Sequence, residues 1–256
     1  MAKSVAIVTG ASQGIGQATA LRLARDFQAV VLVARSRDKL EGTAEGVRAA
    51  GAEALVVDAD LAKPAAAQAV VDQTLATYGR IDALLNIAGA VPQIDLFEMT
   101  DAQWDDGLAL KLHGARRLTV AAWPALKAAR GSVVLMSGNS ADVPKAPFAA
   151  VAAINAAIVA LAKALAERGI TDGVQVNSVL PGAVLTLRRR SFLDRWAPAH
   201  GMSVDESLAE FPKQAGIARF GEAEEIAELI AFLVSPGARW MTGSALRMDG
   251  GEVKSV

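Results

Sequence analysis

The sequence has no cysteine among its 256 residues. This absence excludes a disulfide, a metal site built from thiolates and a cysteine nucleophile. An excess of one charge is lacking too, because 26 lysine and arginine residues are balanced by 27 aspartate and glutamate residues, for a net charge of −1. Such a balance gives no electrostatic reason for binding to nucleic acid or to an anionic membrane surface. We therefore expect neither of these as a partner.

Long apolar runs are also scarce. The most apolar one, residues 148–162, is rich in alanine and is interrupted by Asn155. It is too short to span a bilayer, which takes about 20 residues of helix, and it is typical of a buried or interface helix. The first residues lead directly into a strand and leave no room for a signal peptide. Together with the missing cysteine, this favours a cytoplasmic location.

The most informative segment that is present is residues 9–16, which read Thr-Gly-Ala-Ser-Gln-Gly-Ile-Gly. An apolar strand precedes this segment and helical spacing follows it, which is the context in which such a turn binds a nucleotide. The glycines allow a tight reversal, a close approach to a pyrophosphate and close helix packing, and the first helical N–H groups then face the phosphates. The residues predicted to bind are Gly10, Ser12, Gln13, Gly14, Ile15 and Gly16.

Strands and helices alternate along the rest of the chain. Strands are predicted at residues 29–34, 54–57, 81–85, 132–136, 174–179 and 245–248, and residues 29–34 form a continuous apolar run that is typical of a strand covered on both faces. Helical segments lie between them at residues 38–50, 64–78, 102–129, 148–168 and 222–233. This order predicts an α/β fold in one domain of residues 1–256, with a single doubly wound parallel sheet of the Rossmann type and helices on both faces. Residues 186–216 are long and irregular and predict a substrate lid.

Five motifs follow one another along the chain: the glycine turn, Asn86-Ile87-Ala88-Gly89, Pro181-Gly182 with Thr186, Arg219-Phe220-Gly221-Glu222 and Asp249-Gly250-Gly251. In this order they resemble the short-chain dehydrogenase/reductase family, of the classical type. The resemblance implies a dinucleotide-dependent oxidoreductase with a small carbonyl or alcohol substrate. It also implies contacts with the adenine by Asp60 and Leu61, with the adenosine ribose by Asn86, Ala88 and Gly89, and with the nicotinamide by Pro181, Gly182, Val184 and Thr186. The alternative for each residue is a local role in its turn.

The end of the second strand bears on the choice of cofactor. It reads Ala34-Arg35-Ser36-Arg37. Family members that use NAD(H) carry an acidic residue here, which binds the ribose 2′-hydroxyl. No carboxylate is present to repel a 2′-phosphate, and Arg35 offers a planar pair of donors to one. We therefore expect NADP(H), with NAD(H) as the less favoured choice, and the alternative is that Arg35 is a solvated charge.

The residues that carry catalysis in the family are replaced. Family members use a tyrosine as proton donor, a lysine four residues later, a serine about a dozen residues earlier and an asparagine in the preceding helix. Alignment with the family puts Val151 at the tyrosine, Asn155 at the lysine, Gly138 at the serine and Lys111 at the asparagine. The one tyrosine in the sequence, Tyr78, is remote from all of these segments.

Lys111 is a candidate for the missing acid, and Asn155 is a candidate member of the same site. A lysine on the pocket face of its helix could occupy the space that the tyrosine and lysine leave, and burial would lower its pKa. The alternative is that Lys111 extends to solvent. Weaker candidates are two serines typical of turns and two histidines, one expected on the opposite side of the helix and one in the lid: Ser137, Ser140, His113 and His200.

Two functions remain open at this point. One is an NADP(H)-dependent oxidoreductase with non-standard acid–base groups, and the other is a catalytically inactive nucleotide-binding homologue that acts as a sensor or as the partner in a hetero-oligomer. The long helices at residues 102–129 and 148–168 have little polar surface and predict a homodimer or homotetramer. Basic residues at the lid favour an anionic substrate unless they are merely solvated: Lys111, Lys145, Arg188, Arg189, Arg190 and Arg195.

Overall fold

The computed structural model describes residues 4–199 and 201–255 and contains a seven-stranded parallel sheet. The strands lie in the order β3-β2-β1-β4-β5-β6-β7. Their bounds are β1 Val5–Thr9, β2 Ala29–Ala34, β3 Glu53–Asp58, β4 Ala83–Asn86, β5 Ser132–Met136, β6 Gln175–Pro181 and β7 Ala245–Met248. The chain direction across the sheet reverses between β1 and β4, which is where doubly wound sheets bind ligands. The predicted fold is confirmed.

Helices cover both faces of this sheet. Their bounds are α1 Gly14–Leu23, α2 Arg37–Ala49, α3 Ala66–Tyr78, α4 Asp101–Gly107, α5 Ala115–Ala129, α6 Ala149–Asp172, α7 Leu187–Ala199, α8 Val204–Ala215 and α9 Ala223–Leu233. In β1, Val5 and Ile7 join a core with α3, α5 and α6, whereas Ala6 and Val8 join a core with α1, α2 and α9. Because both faces are buried there, β2 is a continuous apolar run and β1 is apolar up to its last residue, Thr9, instead of alternating.

Most predicted elements are present, with differences at their ends. The helix predicted to end at Gly169 continues to Asp172, because Gly173, with a φ of +75°, provides the left-handed C-cap. The helix predicted at residues 102–129 is divided into α4, a π-helical segment Leu108–Gly114 and α5. This π-helical segment carries Lys111, and such segments are frequent at functional sites.

The lid at residues 186–216 is helical, so the prediction of an irregular segment is wrong. It contains α7 and α8, and α8 begins with a capping box formed by Ser203 and Glu206. An apolar cluster that includes Leu193 and Phe220 packs the two helices onto the rest of the fold. This packing outweighs the helix-breaking tendency of Pro198 in α7 and Pro212 in α8. His200, a weak catalytic candidate, lies outside the described residues.

The α6 region is also longer than expected. Helical residues Ala146–Asp172 are long and apolar enough to cross a membrane, with a mean hydropathy of 2.0, so the judgement that this run is too short is wrong. One such helix is weak support for a membrane span, because the core helix of a globular protein meets the same criteria. In α6, Ile154, Ile158 and Ala162 are buried, whereas only 33% of the most apolar window is buried. The helix therefore has a core face and an exposed apolar face.

Candidate functional site

A cavity of about 1390 Å³ lies at the carboxyl ends of the strands. Its walls come from the turns after β1, β2, β4, β5 and β6, together with α7 and α8. It is lined by both predicted catalytic residues and by most residues predicted to bind the cofactor: Gly10, Ser12, Gln13, Gly14, Ile15, Gly16, Arg35, Leu61, Ala88, Gly89, Lys111, Asn155, Pro181, Gly182, Val184 and Thr186. The parallel sheet brings these separate segments together because every crossover returns to the same edge.

The glycine turn after β1 is closed by backbone contacts. The N–H of Gly10 donates to the carbonyl of Val33 in β2 at 2.8 Å. A Cβ on Gly16 would lie 2.2 Å from the carbonyl oxygen of Gly10, so only glycine fits there. The tight turn leaves the N-terminus of α1 on the cavity wall. Free N–H groups at such a terminus form a site at which phosphate binds.

Thr9 joins this turn to the turn after β4, and it was not predicted as a site residue. Its Oγ1 donates to the carbonyl of Leu85 at 3.2 Å and accepts from the N–H groups of Ile87 and Ala88, each at 2.9 Å. The side chain is buried, so it fixes the path of the second turn against β1. A threonine at the end of an otherwise aliphatic strand was the available signal, because a buried hydroxyl needs partners.

Two residues predicted to contact the adenosine do not line the cavity. The Asp60 carboxylate accepts from the N–H of Ala62 at 3.2 Å, which is a local turn contact. Asn86 is buried and donates from Nδ2 to Thr119 Oγ1 at 3.0 Å, and its Oδ1 has no partner among the described residues. Their roles in cofactor binding stay predictions. Asp60 has the local turn contact that was its alternative, whereas Asn86 contacts α5.

The two arginines after β2 have different surroundings. Arg37 forms ion pairs with Asp58 at 3.1 Å and with Glu41 at 3.6 Å. Arg35 is exposed on the cavity wall, and within residues 4–199 and 201–255 its side chain has no ion pair or hydrogen bond. Arg35 is therefore available to an anionic group of a ligand.

Lys111 lies in the π-helical segment and lines the cavity. Its Nζ donates to Asn155 Oδ1 at 2.5 Å and to the carbonyl of Ser137 at 3.1 Å. Its stem passes Gly89, where a Cβ would lie 3.1 Å from Lys111 Cδ. Burial, and secondarily the positive charge of Arg188, lowers the pKa of Lys111 to about 7. The lysine occupies the candidate site and does not extend to solvent.

A polar network holds Lys111 in place. Asn155 Nδ2 donates to Ser140 Oγ at 2.8 Å, and Ser137 Oγ donates to the carbonyl of Asn155 at 2.8 Å. Gly138 lies against the same amide, because a Cβ at this position would be 2.7 Å from Asn155 Nδ2. The amide is therefore oriented, with its oxygen toward Lys111 and its nitrogen toward a hydroxyl.

The other candidates for the acid differ in whether they line the cavity. Val151 lines it one turn of α6 before Asn155. Tyr78 lies at the end of α3 and packs against the core of that face. His113 is half-buried, and its Nδ1 has no hydrogen-bond partner in the described part of the chain. Ser137 and Ser140 line the cavity and form hydrogen bonds with Asn155. Neither Tyr78 nor His113 lines it, so Lys111 is the candidate with an ionisable side chain that does.

The cavity contains an aromatic group that was not predicted, and all of its members except Phe148 lie in residues 186–216. Phe148, Phe192, Trp196 and Phe211 line the cavity, and the rings of Trp196 and Phe211 are 6.3 Å apart in an edge-to-face arrangement. The guanidinium carbon of Arg189 lies 5.6 Å from the Phe192 ring centroid and 5.2 Å from that of Phe211. Phe192 and Trp196 are four residues apart, a helical signal that was overlooked because the segment was expected to be irregular.

Two arginines at the start of α7 face the cavity. Arg188 donates to the carbonyls of Gly89 and Val91 at 2.9 and 3.0 Å, which joins the lid to the turn after β4. Arg189 is half-buried, and this burial lowers its pKa. A cation held between aromatic rings at a cavity wall suits an anionic or planar ligand group.

The other charged side chains divide between the cavity and the surface. Lys145 lines the cavity, whereas Arg190 and Arg195 do not. Glu252 is the one carboxylate that lines it among the described residues, and its Oε2 accepts from the N–H of Ala183 at 3.1 Å. In that same part of the chain, no cluster of three or more His, Asp or Glu side chains could hold a metal ion.

Comparisons with known proteins agree with this architecture. Residues 10–252 match the model of a family described as enoyl-(acyl carrier protein) reductase. The chain is 33% identical to the short-chain reductase protein NovJ of Streptomyces niveus, over 97% of this chain and 94% of that protein. It is 30% identical to the 3-oxoacyl-(acyl carrier protein) reductase FabG of Staphylococcus aureus, over 98% of each.

A solved structure gives the same result for the fold. The L-sorbose reductase from Gluconobacter frateurii, complexed with NADPH and L-sorbose, superposes with a TM-score of 0.94. The match covers 100% of this chain and 98% of that chain at 30% sequence identity.

Proposed function

The chain belongs to the short-chain dehydrogenase/reductase family, and we propose that it is an NADP(H)-dependent oxidoreductase of a small anionic carbonyl or alcohol substrate. When bound, the cofactor exchanges a hydride with the substrate carbon. We propose Lys111 as the group that exchanges the proton. The observation that carries this assignment is the Lys111 nitrogen at the cavity, 2.5 Å from Asn155 Oδ1.

The cofactor is NADP(H). The fit rests on this chain's own residues, since the glycine turn places free N–H groups on the cavity wall and Arg35 is an available cation at the end of β2. The 2′-phosphate would be held by Arg35, and the pyrophosphate by the turn of residues 10–16. NADPH in the L-sorbose reductase complex supports the same choice.

Lys111 can move a proton in either direction. In its ammonium form it has three N–H donors, of which Asn155 Oδ1 and the Ser137 carbonyl accept two. The third can be donated to a carbonyl oxygen as it gains charge during reduction. The neutral amine that remains keeps both hydrogen bonds, and it can accept the proton again when an alcohol is oxidised. A pKa of about 7 makes both forms available near neutral pH.

The contacts among the replaced positions support a working site. Gly138 provides the space that the Asn155 amide occupies, and the Asn155 oxygen in turn accepts from Lys111. A degraded site would have no reason to keep these side chains complementary. The inactive homologue that the sequence left open has no specific observation in its favour.

The proposed negative charge of the substrate rests on the cavity wall. Lys111, Lys145, Arg188 and Arg189 line it, against one carboxylate among the described residues, that of Glu252. Arg189 is half-buried between two rings, where an unpaired cation is costly unless a ligand supplies charge.

A paired assay tests the function. NADPH oxidation is followed with carbonyl compounds matched in size, with and without a carboxylate, while calorimetry measures NADPH binding. We expect NADPH to bind, and the carboxylate-bearing member of each pair to react faster, with ordinary ketones well below the typical enzyme turnover of about 10 s⁻¹. NADPH binding without NADPH oxidation across the panel would favour the inactive homologue. Equal rates for the two members of each pair would contradict the proposal that the substrate is anionic.

Arg35 should determine the preference for NADPH over NADH. A charge-assisted hydrogen bond contributes about 1.5–3 kcal/mol, and exposure of Arg35 favours the lower end, so Arg35→Ala should reduce the affinity ratio roughly ten-fold. Calorimetric titration of both cofactors measures the ratio. Arg37→Ala is the matched control, because Arg37 is already paired with Asp58 and Glu41 and should not alter it. Equal affinities of wild type for the two cofactors would contradict the assignment.

The exposed apolar face of α6 should be covered by a second copy of the chain. Most of the apolar window of this helix is not buried within one chain, and exposed patches of this kind mark association surfaces. We propose a homodimer or homotetramer. Sedimentation velocity at micromolar concentration should show one of these species, and a monomer alone would exclude both.

Location in the cytoplasm is also part of the proposal. Its support is the absence of cysteine and the NADP(H) chemistry of the site. Cell fractionation with an antibody to the protein tests it.

A further inference from the structure

The surroundings of the Lys111 nitrogen match a neutral amine. Its two acceptors, Asn155 Oδ1 and the Ser137 carbonyl, are uncharged, and within the described residues Lys111 has no ion pair. An ammonium has three N–H donors, whereas an amine has two donors and a lone pair. Two acceptors therefore satisfy the amine completely and leave its lone pair free at the cavity.

We infer that Lys111 is an amine nucleophile that condenses with an aldehyde or ketone ligand to form a reversible imine. Its nitrogen attacks the carbonyl carbon, so that an N–C bond forms and the C–O bond breaks. The carbonyl oxygen leaves as water, taking one amine hydrogen and one proton from solvent, and no oxidant or reductant is consumed. The protonated imine keeps one N–H, which Asn155 Oδ1 can accept. This reactivity goes beyond the proposed oxidoreductase and does not require its cofactor.

The charges around the cavity favour this reaction near neutral pH. Arg188 and Arg189 on α7 and Lys145 before α6 are cationic, and Glu252 is acidic. Of these, Arg188 adds to the effect of burial, and together they lower the pKa of Lys111 to about 7. At about pH 7 such a lysine has roughly 10³-fold more neutral amine than one with the ordinary pKa of about 10.4. Desolvation and a neighbouring cation activate lysine nucleophiles in this way.

Reductive trapping tests the inference directly. The whole protein, without NADP(H), is incubated at about pH 7 with glyoxylate, an aldehyde that carries a carboxylate, and sodium cyanoborohydride. Peptide mass mapping then locates the reduced adducts over time. Because nucleophilicity falls with pKa, the expected advantage is smaller than the difference in neutral amine, and Lys111 should react about ten-fold or more faster than Lys145. Labelling of Lys111 no faster than that of Lys145, which is exposed at the same cavity, overturns the inference.

Two variants separate the amine from its surroundings. Lys111→Met should abolish the fast adduct, whereas Lys213→Met, at a lysine that is 72% exposed on α8, should leave it unchanged. Asn155→Asp retains Lys111 but places a carboxylate beside its nitrogen, which favours the ammonium form. Labelling of this variant should be slower at about pH 7, with its pH midpoint moved upward. An unchanged rate and midpoint would refute the inference even if Lys111→Met failed to fold.

Failure of the imine inference can be distinguished from failure of the proposed oxidoreductase function. NADPH binding and oxidation are measured on the same protein without the aldehyde trap. A protein that oxidises NADPH with a carbonyl substrate yet gives no fast adduct at Lys111 refutes the imine alone. A fast adduct at Lys111 without any NADPH oxidation supports the imine and contradicts the proposed oxidoreductase function.

Discussion

Replacing Lys111 with methionine should lower the turnover of NADPH-dependent carbonyl reduction by about 10²–10⁴-fold, which is the usual contribution of a positioned general acid. Methionine retains the unbranched stem that passes Gly89 but loses the N–H groups that Asn155 and Ser137 accept. NADPH affinity should change little, because the proposed phosphate site is formed by other residues. Steady-state rates and calorimetry measure the two effects. Equal rates for the variant and wild type would show that the proton comes from another group or from water.

The pH dependence gives a second measurement of the same role. The donor is the ammonium form, and its pKa is about 7, so the reduction rate should fall as pH rises through that value. Oxidation of the alcohol needs the amine, so its rate should rise over the same interval. The inflection should be absent from Lys111→Met and present in the Lys213→Met control. Its persistence without Lys111 would identify a different titrating group.

The stability of Lys111→Met relative to wild type should depend on pH. The folded pKa lies below the unfolded value of about 10.4, so folding disfavours the ammonium and wild-type stability rises with pH between these two values. The variant lacks this penalty, although an unpaired Asn155 oxygen costs about 1–3 kcal/mol. Its stability relative to wild type should therefore be most favourable below about pH 7 and should decline toward higher pH. A difference that does not vary with pH would contradict the lowered pKa.

The sheet could be predicted from sequence because its signals are local. Residues 29–34, 132–136 and 245–248 have the predicted bounds, and the glycine turn follows its strand directly. A strand that is covered on both faces is largely apolar, so its burial can be predicted from its own sequence without knowing which elements pack against it. The cavity edge follows from topology, because parallel strands present their carboxyl ends together. Most of the cofactor-site residues were therefore predicted to be near one another before any contact was known.

The contacts within the catalytic part of the cavity could not be predicted in the same way. Lys111 and Asn155 are 44 positions apart, and their hydrogen bond depends on the π-helical turn that carries the lysine. The positions of the aromatic lid residues depend on the packing of α7 and α8, which is a tertiary effect. The cofactor contacts of Asp60 and Asn86 stay predictions, since a motif position does not determine whether a side chain points to a ligand or to another part of the chain.

Single changes toward the family residues should lower turnover instead of restoring it. Gly138→Ser adds a Cβ 2.7 Å from Asn155 Nδ2, so the amide must move and its contact with Lys111 is disturbed. Asn155→Lys puts a second cation beside Lys111, and like charges at this distance are unfavourable. Residues that share one network are strongly non-additive. A ketone reduction assay on each variant should give rates at or below that of wild type.

The four changes made together should have the opposite effect. A protein with Lys111→Asn, Gly138→Ser, Val151→Tyr and Asn155→Lys would carry the family's proton donor and its supporting residues on the same cavity wall. We expect its turnover of an ordinary ketone with NADPH to exceed that of wild type by roughly 10²-fold or more, because a positioned acid contributes about 10²–10⁴-fold. The matched control has Val151→Phe in place of Val151→Tyr, which keeps the ring and lacks only the hydroxyl. If both quadruple variants bind NADPH and neither has a higher ketone turnover than wild type, the alignment of Val151 with the proton donor is wrong. The argument that Lys111 replaces that donor is then contradicted as well.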